Sequence, residues 1–273
     1  MIAPSVDFNR ITVVLKNPRY PENIGAVARA MRNMGLSQLA IVDPENFDLK
    51  RVRKLATHEA ADIVDRIVRF DHLNDALADM QYVVGTTARL GRQRPVVQSP
   101  SSMAGRLISM ARQNQVALLF GPEDRGLTNA DLQLCHILVN IPTADFSSLN
   151  LAQAVMIMCY EILRAGENEN QKPVPRLAAR HELDGMYATL KDILVRVDYI
   201  GRDNPDYWMN KIRRFGNRIQ LRAREVSVIR GICRQIDYYG KKCYQDGQKA
   251  ALNPEKSMGV SFRIHEKTNS PHD

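Results

Sequence analysis

Cysteine is scarce: there are 4 in 273 residues. They stand at positions 135, 159, 233 and 243, and no two form a CxxC pair. Neither a disulfide framework nor a structural zinc site can be read from that spacing, so a reduced, metal-free protein is expected. Long apolar runs are also missing, and nothing approaches the roughly 20 residues that a membrane span requires. Met1 to Arg10 has no apolar signal core, so a cytoplasmic location is expected. There is no Walker A loop and no GxGxxG turn, which removes the usual supports for NTP hydrolysis and dinucleotide binding. No internal repeat is found.

What is present is a basic chain of net charge +8, with 38 Lys and Arg against 30 Asp and Glu. The excess is not spread evenly. Between Tyr207 and Lys249 there are eleven basic and three acidic residues, and the remainder balances to zero. One basic segment on a neutral body suits a polyanionic partner such as nucleic acid, or a solvated basic helix face.

The first 165 residues alternate apolar runs with helical patterns. The runs are Ile11–Leu15, Leu39–Val42, Tyr82–Thr86, Val116–Phe120 and Ile137–Ile141. They are continuous rather than alternating, as strands buried on both faces require. Helical patterns lie between them at Glu22–Met34, Lys50–Ala61, Leu73–Ala78, Ser102–Gln113 and Asn129–Cys135, and a helix from Leu149 to Arg164 closes the unit. This order predicts an α/β unit, a parallel sheet flanked by helices. Residues 166–176 contain two prolines and no apolar periodicity, and read as a linker. Residues 177–250 read as a small all-helical domain, and 251–273 as a mobile polar tail.

Three segments can carry chemistry. In PENIGAVARAMRNMG, Asn23 precedes a helix whose apolar face holds Ile24, Val27 and Met31, while Arg29 and Arg32 lie off that face. A plain amphipathic helix would look similar. In LLFGPEDRGLTN, an apolar strand runs into a loop with Gly121 and Gly126 around Pro122, Glu123, Asp124 and Arg125. A structural strand-to-helix turn, with Thr128 as cap and Asp131 three residues on, accounts for part of it. In IPTADFSSLNLAQAV, Ser147, Ser148 and Asn150 precede a helix. Capping explains one of these polar groups but not all three. All three segments follow strand ends, where open parallel sheets bind ligands.

Together and in this order, the N-x5-R, FGPEDRGL and SSLNLAQAV segments resemble the three motifs of the SPOUT methyltransferases, in the branch that modifies RNA ribose 2′-hydroxyls. Asn204 to Ile232 resembles the C-terminal helical extension of the bacterial tRNA (cytidine/uridine-2′-O)-methyltransferases of anticodon-loop position 32. The resemblance covers about residues 10 to 240. It implies a trefoil knot at the C-terminal end of the catalytic domain, S-adenosylmethionine as cofactor, no metal, tRNA as substrate and a homodimer. Residues 149–164 and 24–34 are the expected interface helices. It implies catalytic roles for Arg29, Asn23, Glu123, Ser148 and Asn150. It places the cofactor against Thr86, Thr87, Ala88, Phe120, Gly121, Ile141, Ser148, Leu149 and Asn150. Arg29 is expected at the 2′-hydroxyl, either as base or as stabiliser of a forming alkoxide. Arg89, Arg92, Arg94, Lys211, Arg213, Arg214 and Arg218 are expected RNA contacts. In the extension, Ile212, Phe215 and Ile219 are the expected apolar face, leaving the basic side chains outside. Two other readings stay open: the same chemistry on wobble position 34 or rRNA, and a non-catalytic tRNA-binding protein.

Overall fold

A computed structural model describes residues 7–88, 97–145, 148–167 and 174–252. Its sheet contains β1 (Ile11–Lys16), β2 (Gln38–Val42), β3 (Val68–Phe70), β4 (Tyr82–Thr86), β5 (Val97–Gln98), β6 (Val116–Phe120) and β7 (Ile137–Val139). Spatial order is β3-β2-β1-β6-β4-β7-β5, and every pairing is parallel. The first three strands run outward on one side of β1. The chain then crosses to the other side for β4, and β6 later fills the gap between them. This reversal opens a crevice at the carboxyl ends of the central strands.

Side-chain alternation along β1 explains the two layers. Val13 and Leu15 point to one face, where they join Ile24, Val27 and Met31 of α1 (Pro21–Asn33), Leu107 of α5 (Pro100–Ala111) and Val155, Met158 and Ile162 of α7 (Leu151–Gly166). Val14 points the other way. It meets Ala117, Leu119, Leu138, Leu77 of α4 (Leu73–Leu77) and Leu132 of α6 (Asn129–Gln133). Both faces are therefore dry, which is why the strands read as unbroken apolar runs. The helical pattern expected over 50–61 divides in two. α2 (Leu49–Ala56) stops at Thr57, whose φ is 60°, and α3 (Ala61–Asp65) follows a short 3-10 turn.

The C-terminal unit is all-helical, with α8 (Arg180–Arg196), α9 (Pro205–Ile219) and α10 (Ala223–Leu252). Its small core joins Leu183, Met186, Tyr187, Ile200, Met209 and Val226. Two expectations change here. Residues 174–176, assigned to a linker, are pinned to the catalytic unit. Asn114, fully buried, donates to the carbonyl of Val174 at 3.3 Å, and its Oδ1 accepts from the N–H of Leu177 at 2.7 Å. The expected tail begins inside α10, which runs on to Leu252; residues 253–273 lie outside the described ones. The seam between units is also hydrogen-bonded. The first free N–H groups of α8, on Arg180 and His181, donate to the carbonyls of Met80 and Ala78, each at 3.0 Å. Donors left over at a helix start are thus satisfied by the neighbouring unit. Among the described residues no helix is long and apolar enough to cross a membrane.

Candidate functional site

The crevice is a cleft of about 310 Å³ at the carboxyl ends of β4, β6 and β7. Thr86, Thr87 and Ala88 form one wall, Phe120 to Leu127 a second, and Val139, Ile141, Ser148, Leu149, Leu151 and Ala154 a third. Backbone bonds fix the first wall: Thr87 donates its N–H to Val139 O at 2.9 Å and accepts from Asn140 Nδ2 at 2.9 Å. The second wall is anchored where the loop enters α6. Asp131 takes Lys16 Nζ at 2.7 Å on one oxygen and the N–H and hydroxyl of Thr128 on the other. The expected Thr128 cap is thus present as a capping box.

Glu123 stands in the cleft wall, and a directed line of amides runs from it. Asn23 Nδ2 donates to Glu123 Oε1 at 2.7 Å, and Asn150 Nδ2 donates to Asn23 Oδ1 at 3.0 Å. Asn150 Oδ1 then accepts the N–H of Ala152 at 2.9 Å, capping α7. Only one orientation works. A carboxylate accepts only, so Glu123 must take the amide N–H of Asn23, which leaves the Asn23 oxygen for Asn150 and the Asn150 oxygen for the helix. One chain of bonds therefore ties the starts of α1 and α7 to the loop after β6. The other Glu123 oxygen accepts the backbone N–H of Arg19 at 3.1 Å. The Arg19 side chain reaches Glu45 at 3.0 Å and Asp124 at 3.1 Å. The hydrogen bond to Glu45 first, and then the charges of Glu45 and Asp124, hold that guanidinium above its usual pKa.

Of the residues singled out from sequence, Thr86, Thr87, Ala88, Phe120, Gly121, Glu123, Ile141, Ser148 and Leu149 all line this cleft. Asn23 and Asn150 do not line it but join it through Glu123. Ser147 lies outside the described residues, and the cap of α7 is Asn150 rather than a serine. Arg29 is exposed on α1, does not line the cleft, and has no ion-pair or hydrogen-bond partner among the described residues. It stands six positions after Asn23, which sets the two side chains about 120° apart round the helix. Arg89, Arg92 and Arg94 lie outside the described residues. Arg19, Glu45, Leu127, Val139 and Ala154 were not anticipated. Arg19 carries no periodic or motif signal, because its role depends on loops that meet only in the fold.

The basic segment differs from expectation in one respect. Lys211, Arg214 and Arg218 are exposed, but Arg213 is only part-exposed and is held 3.1 Å from Asp184 and over the ring of Tyr187 at 5.0 Å. The stripe that packs is Met209, Ile212, Arg213 and Gly216, and it leaves Phe215 and Ile219 outside. The cysteines are free, and burial pushes the thiols of Cys135 and Cys159 up to about 12, so neither is a nucleophile. Among the described residues no His, Cys, Asp and Glu cluster could hold a metal ion.

A parallel sheet with its cleft at the ends of β4, β6 and β7, an asparagine-capped helix beside it and a helical unit after it fits the SPOUT-type methyltransferase architecture, and the comparisons assign that class. Residues 10–160 match the SpoU rRNA Methylase family, and residues 181–249 match the C-terminal domain of the tRNA methyltransferase TrmJ. The chain belongs to the SpoU methylase family and, within it, to the TrmJ group. It is 37% identical over 238 residues to the tRNA (cytidine/uridine/adenosine-2′-O-)-methyltransferase TrmJ of Pseudomonas aeruginosa, covering 82% of this chain and 92% of that one. It is 36% identical to the tRNA (cytidine/uridine-2′-O-)-methyltransferase TrmJ of Sodalis glossinidius, covering 85% and 93%. The crystal structure of TrmJ from Z. mobilis superposes with a TM-score of 0.71 at 28% identity, over 83% of this chain and 98% of that chain.

Proposed function

We propose that this chain methylates a ribose 2′-hydroxyl in tRNA, using S-adenosylmethionine, at cytidine or uridine 32 of the anticodon loop. The observation that carries the reading is the hydrogen-bonded line Glu123–Asn23–Asn150 beside a cleft built from three strand ends. The residues present fit the methyl donor. Phe120, Leu127, Val139, Ile141 and Leu149 offer apolar walls to a flat base, Thr86 and Ser148 offer hydroxyls, and the Glu123 carboxylate suits a cationic sulfonium. A volume of about 310 Å³ lies within the range of small-ligand pockets. Thr86, Thr87, Ala88, Phe120, Gly121, Ile141, Ser148 and Leu149 would hold the donor, with Asn150 fixing the loop behind them. When bound, the donor supplies a methyl group already activated by its sulfonium.

The protein's own task is to orient the acceptor hydroxyl and manage its charge. Arg29 is a cation left free for RNA among the described residues. A guanidinium donates hydrogen bonds and accepts none, so its part is to bind phosphate and stabilise negative charge growing on the ribose oxygen. Glu123, fixed by Asn23 and Arg19, is a rigid acceptor at the rim. Lys211, Arg214 and Arg218 would add phosphate contacts from the C-terminal unit, which favours a target carried on a large folded RNA.

A homodimer, a trefoil knot in the catalytic unit and a cytoplasmic location belong to the same reading. The apolar faces of α1 and α7 are largely spent in the chain's own core, so the dimer would use the outer face of α7, with Met156, Ile157 and exposed Tyr160. The test is titration calorimetry of the purified chain with S-adenosylmethionine in chelator. One site per chain is expected. Absence of binding to both the donor and S-adenosylhomocysteine would overturn the reading.

A further inference from the structure

α9 packs through Met209, Ile212, Arg213 and Gly216, and that choice turns a different set of side chains to solvent. Trp208, Phe215 and Ile219 are 46%, 54% and 47% exposed. They recur at i, i+7 and i+11, so they form one line along the helix. Beside that line, at i, i+3 and i+7, run the exposed cations Lys211, Arg214 and Arg218. The two rows are in contact. Lys211 Nζ lies 4.4 Å from the ring centre of Tyr207 and 4.6 Å from that of Trp208, and the Arg218 guanidinium lies 5.6 Å from the ring of Phe215. No acidic residue occurs between Tyr207 and Arg224.

An apolar row alone would suit many partners. Charge decides between them. The buried centre of a protein interface is depleted in charge, and three cations in one row would be left unpaired against another apolar surface. A polyanion with flat rings answers both rows at once: phosphates meet the cations, and bases stack on the rings. Trp208 and Phe215 are seven residues apart, about 10 Å along the axis, so each ring can take its own base. Fully paired duplex offers phosphates but no free ring faces, so the surface selects unpaired nucleotides.

We propose that the exposed face of α9 is a base-stacking site for unpaired nucleotides of the RNA, with Trp208 and Phe215 as platforms and Lys211, Arg214 and Arg218 as phosphate contacts. This rests on the tRNA reading above and adds to it a contact remote from the methylation cleft. Its energetics differ from those of the phosphate contacts: stacking adds affinity with little salt dependence, whereas each phosphate contact to an unpaired strand adds about 0.7 to the log–log salt slope.

Trp208 is the only tryptophan, so its emission reports on the platform directly. The full-length chain is titrated with intact tRNA, a ten-nucleotide single-stranded RNA and a blunt RNA duplex of equal length, with binding followed independently by filter retention. Emission should be quenched by tRNA and by the single strand, and by the duplex far less. Trp208→Ala and Phe215→Ala should each weaken tRNA binding about tenfold with an unchanged salt slope, and Trp208→Phe should restore most of the loss. Arg214→Ala with Arg218→Ala should lower the slope by about 1.4. Retained tRNA with unchanged emission overturns the stacking site while leaving the tRNA reading intact. Quenching that follows protein concentration without RNA also overturns it, because a second copy then covers the face. Failure to retain tRNA at all removes both.

Discussion

Asn23 has two amide ends, and both are committed: one to Glu123 and one to Asn150. Asn23→Asp replaces the donor with a second carboxylate facing Glu123. Methyl transfer should fall at least a hundredfold while the donor still binds near normally; kinetics beside calorimetry check this, and normal turnover would remove the line from the mechanism. Arg29→Ala should abolish transfer and leave the fold and most donor affinity intact, because Arg29 is exposed and outside the cleft wall. A third residue matters for stability rather than chemistry. His136 stacks on Tyr82 and accepts the N–H of Val83 at 3.1 Å. Burial first, and then Arg180 and Arg106, push its pKa down to about 4 from 6.5. Between those values the unfolded chain binds more protons than the folded one, so stability is complete above pH 6.5 and is lost as pH falls toward 4. The cost at pH 5 relative to pH 7.5 is about 2 kcal/mol. Urea midpoints at the two pH values should show it, and His136→Asn should remove most of the difference; an equal acid loss in that variant would place the effect elsewhere.

Among the elements, the loop after β6 depends on Gly121, where a Cβ would overlap the backbone of Gly126 and Leu127. Gly121→Ala should therefore displace this wall, weaken donor binding more than tenfold and lower the melting temperature; unchanged calorimetric affinity would contradict the cleft assignment. On α9, Arg213 and Arg214 are adjacent in sequence and opposite in role. Arg213→Glu should destabilise the helical unit, since it faces Asp184 and Tyr187. Arg214→Glu should change only RNA affinity, and thermal melts with filter binding separate the two. The same helix shows why part of the fold could not be read in advance. Ile212, Phe215 and Ile219 have helical spacing, but so do Met209, Ile212 and Gly216. The second set wins because Gly216 has no side chain and lets Tyr187 close in, a signal that hydropathy does not contain. The five central strands were legible because burial on both faces makes each an unbroken apolar run. β3 and β5 were not: they are short edge strands, and Val68 is exposed. The cleft walls were legible through the motifs, whereas the Arg19 clamp joins three loops distant in sequence.

At the scale of the whole molecule, two units are joined by a seam rather than a tether. Asn114 sits in it, fully buried, bonded to Met110, Val174 and Leu177. Asn114→Ala leaves the Leu177 N–H without its partner, at a cost of about 2 kcal/mol, and should lower the melting temperature by roughly 4–8 °C. An unchanged melt would mean that the seam contributes nothing. The proposed division of labour follows from where charge and cleft lie: the ends of β4, β6 and β7 would hold the chemistry, and the basic helices would hold the rest of the RNA in place. Phosphate contacts position and do not specify, so on this proposal the choice of nucleotide would belong to the catalytic unit. The most direct test of the central claim is to incubate the full-length chain with S-adenosylmethionine and an unmodified tRNA transcript and to map the ribose methylation produced. A single new 2′-O-methyl group at cytidine or uridine 32 is the expected result. No transfer, or a methyl group on a base, would contradict the account.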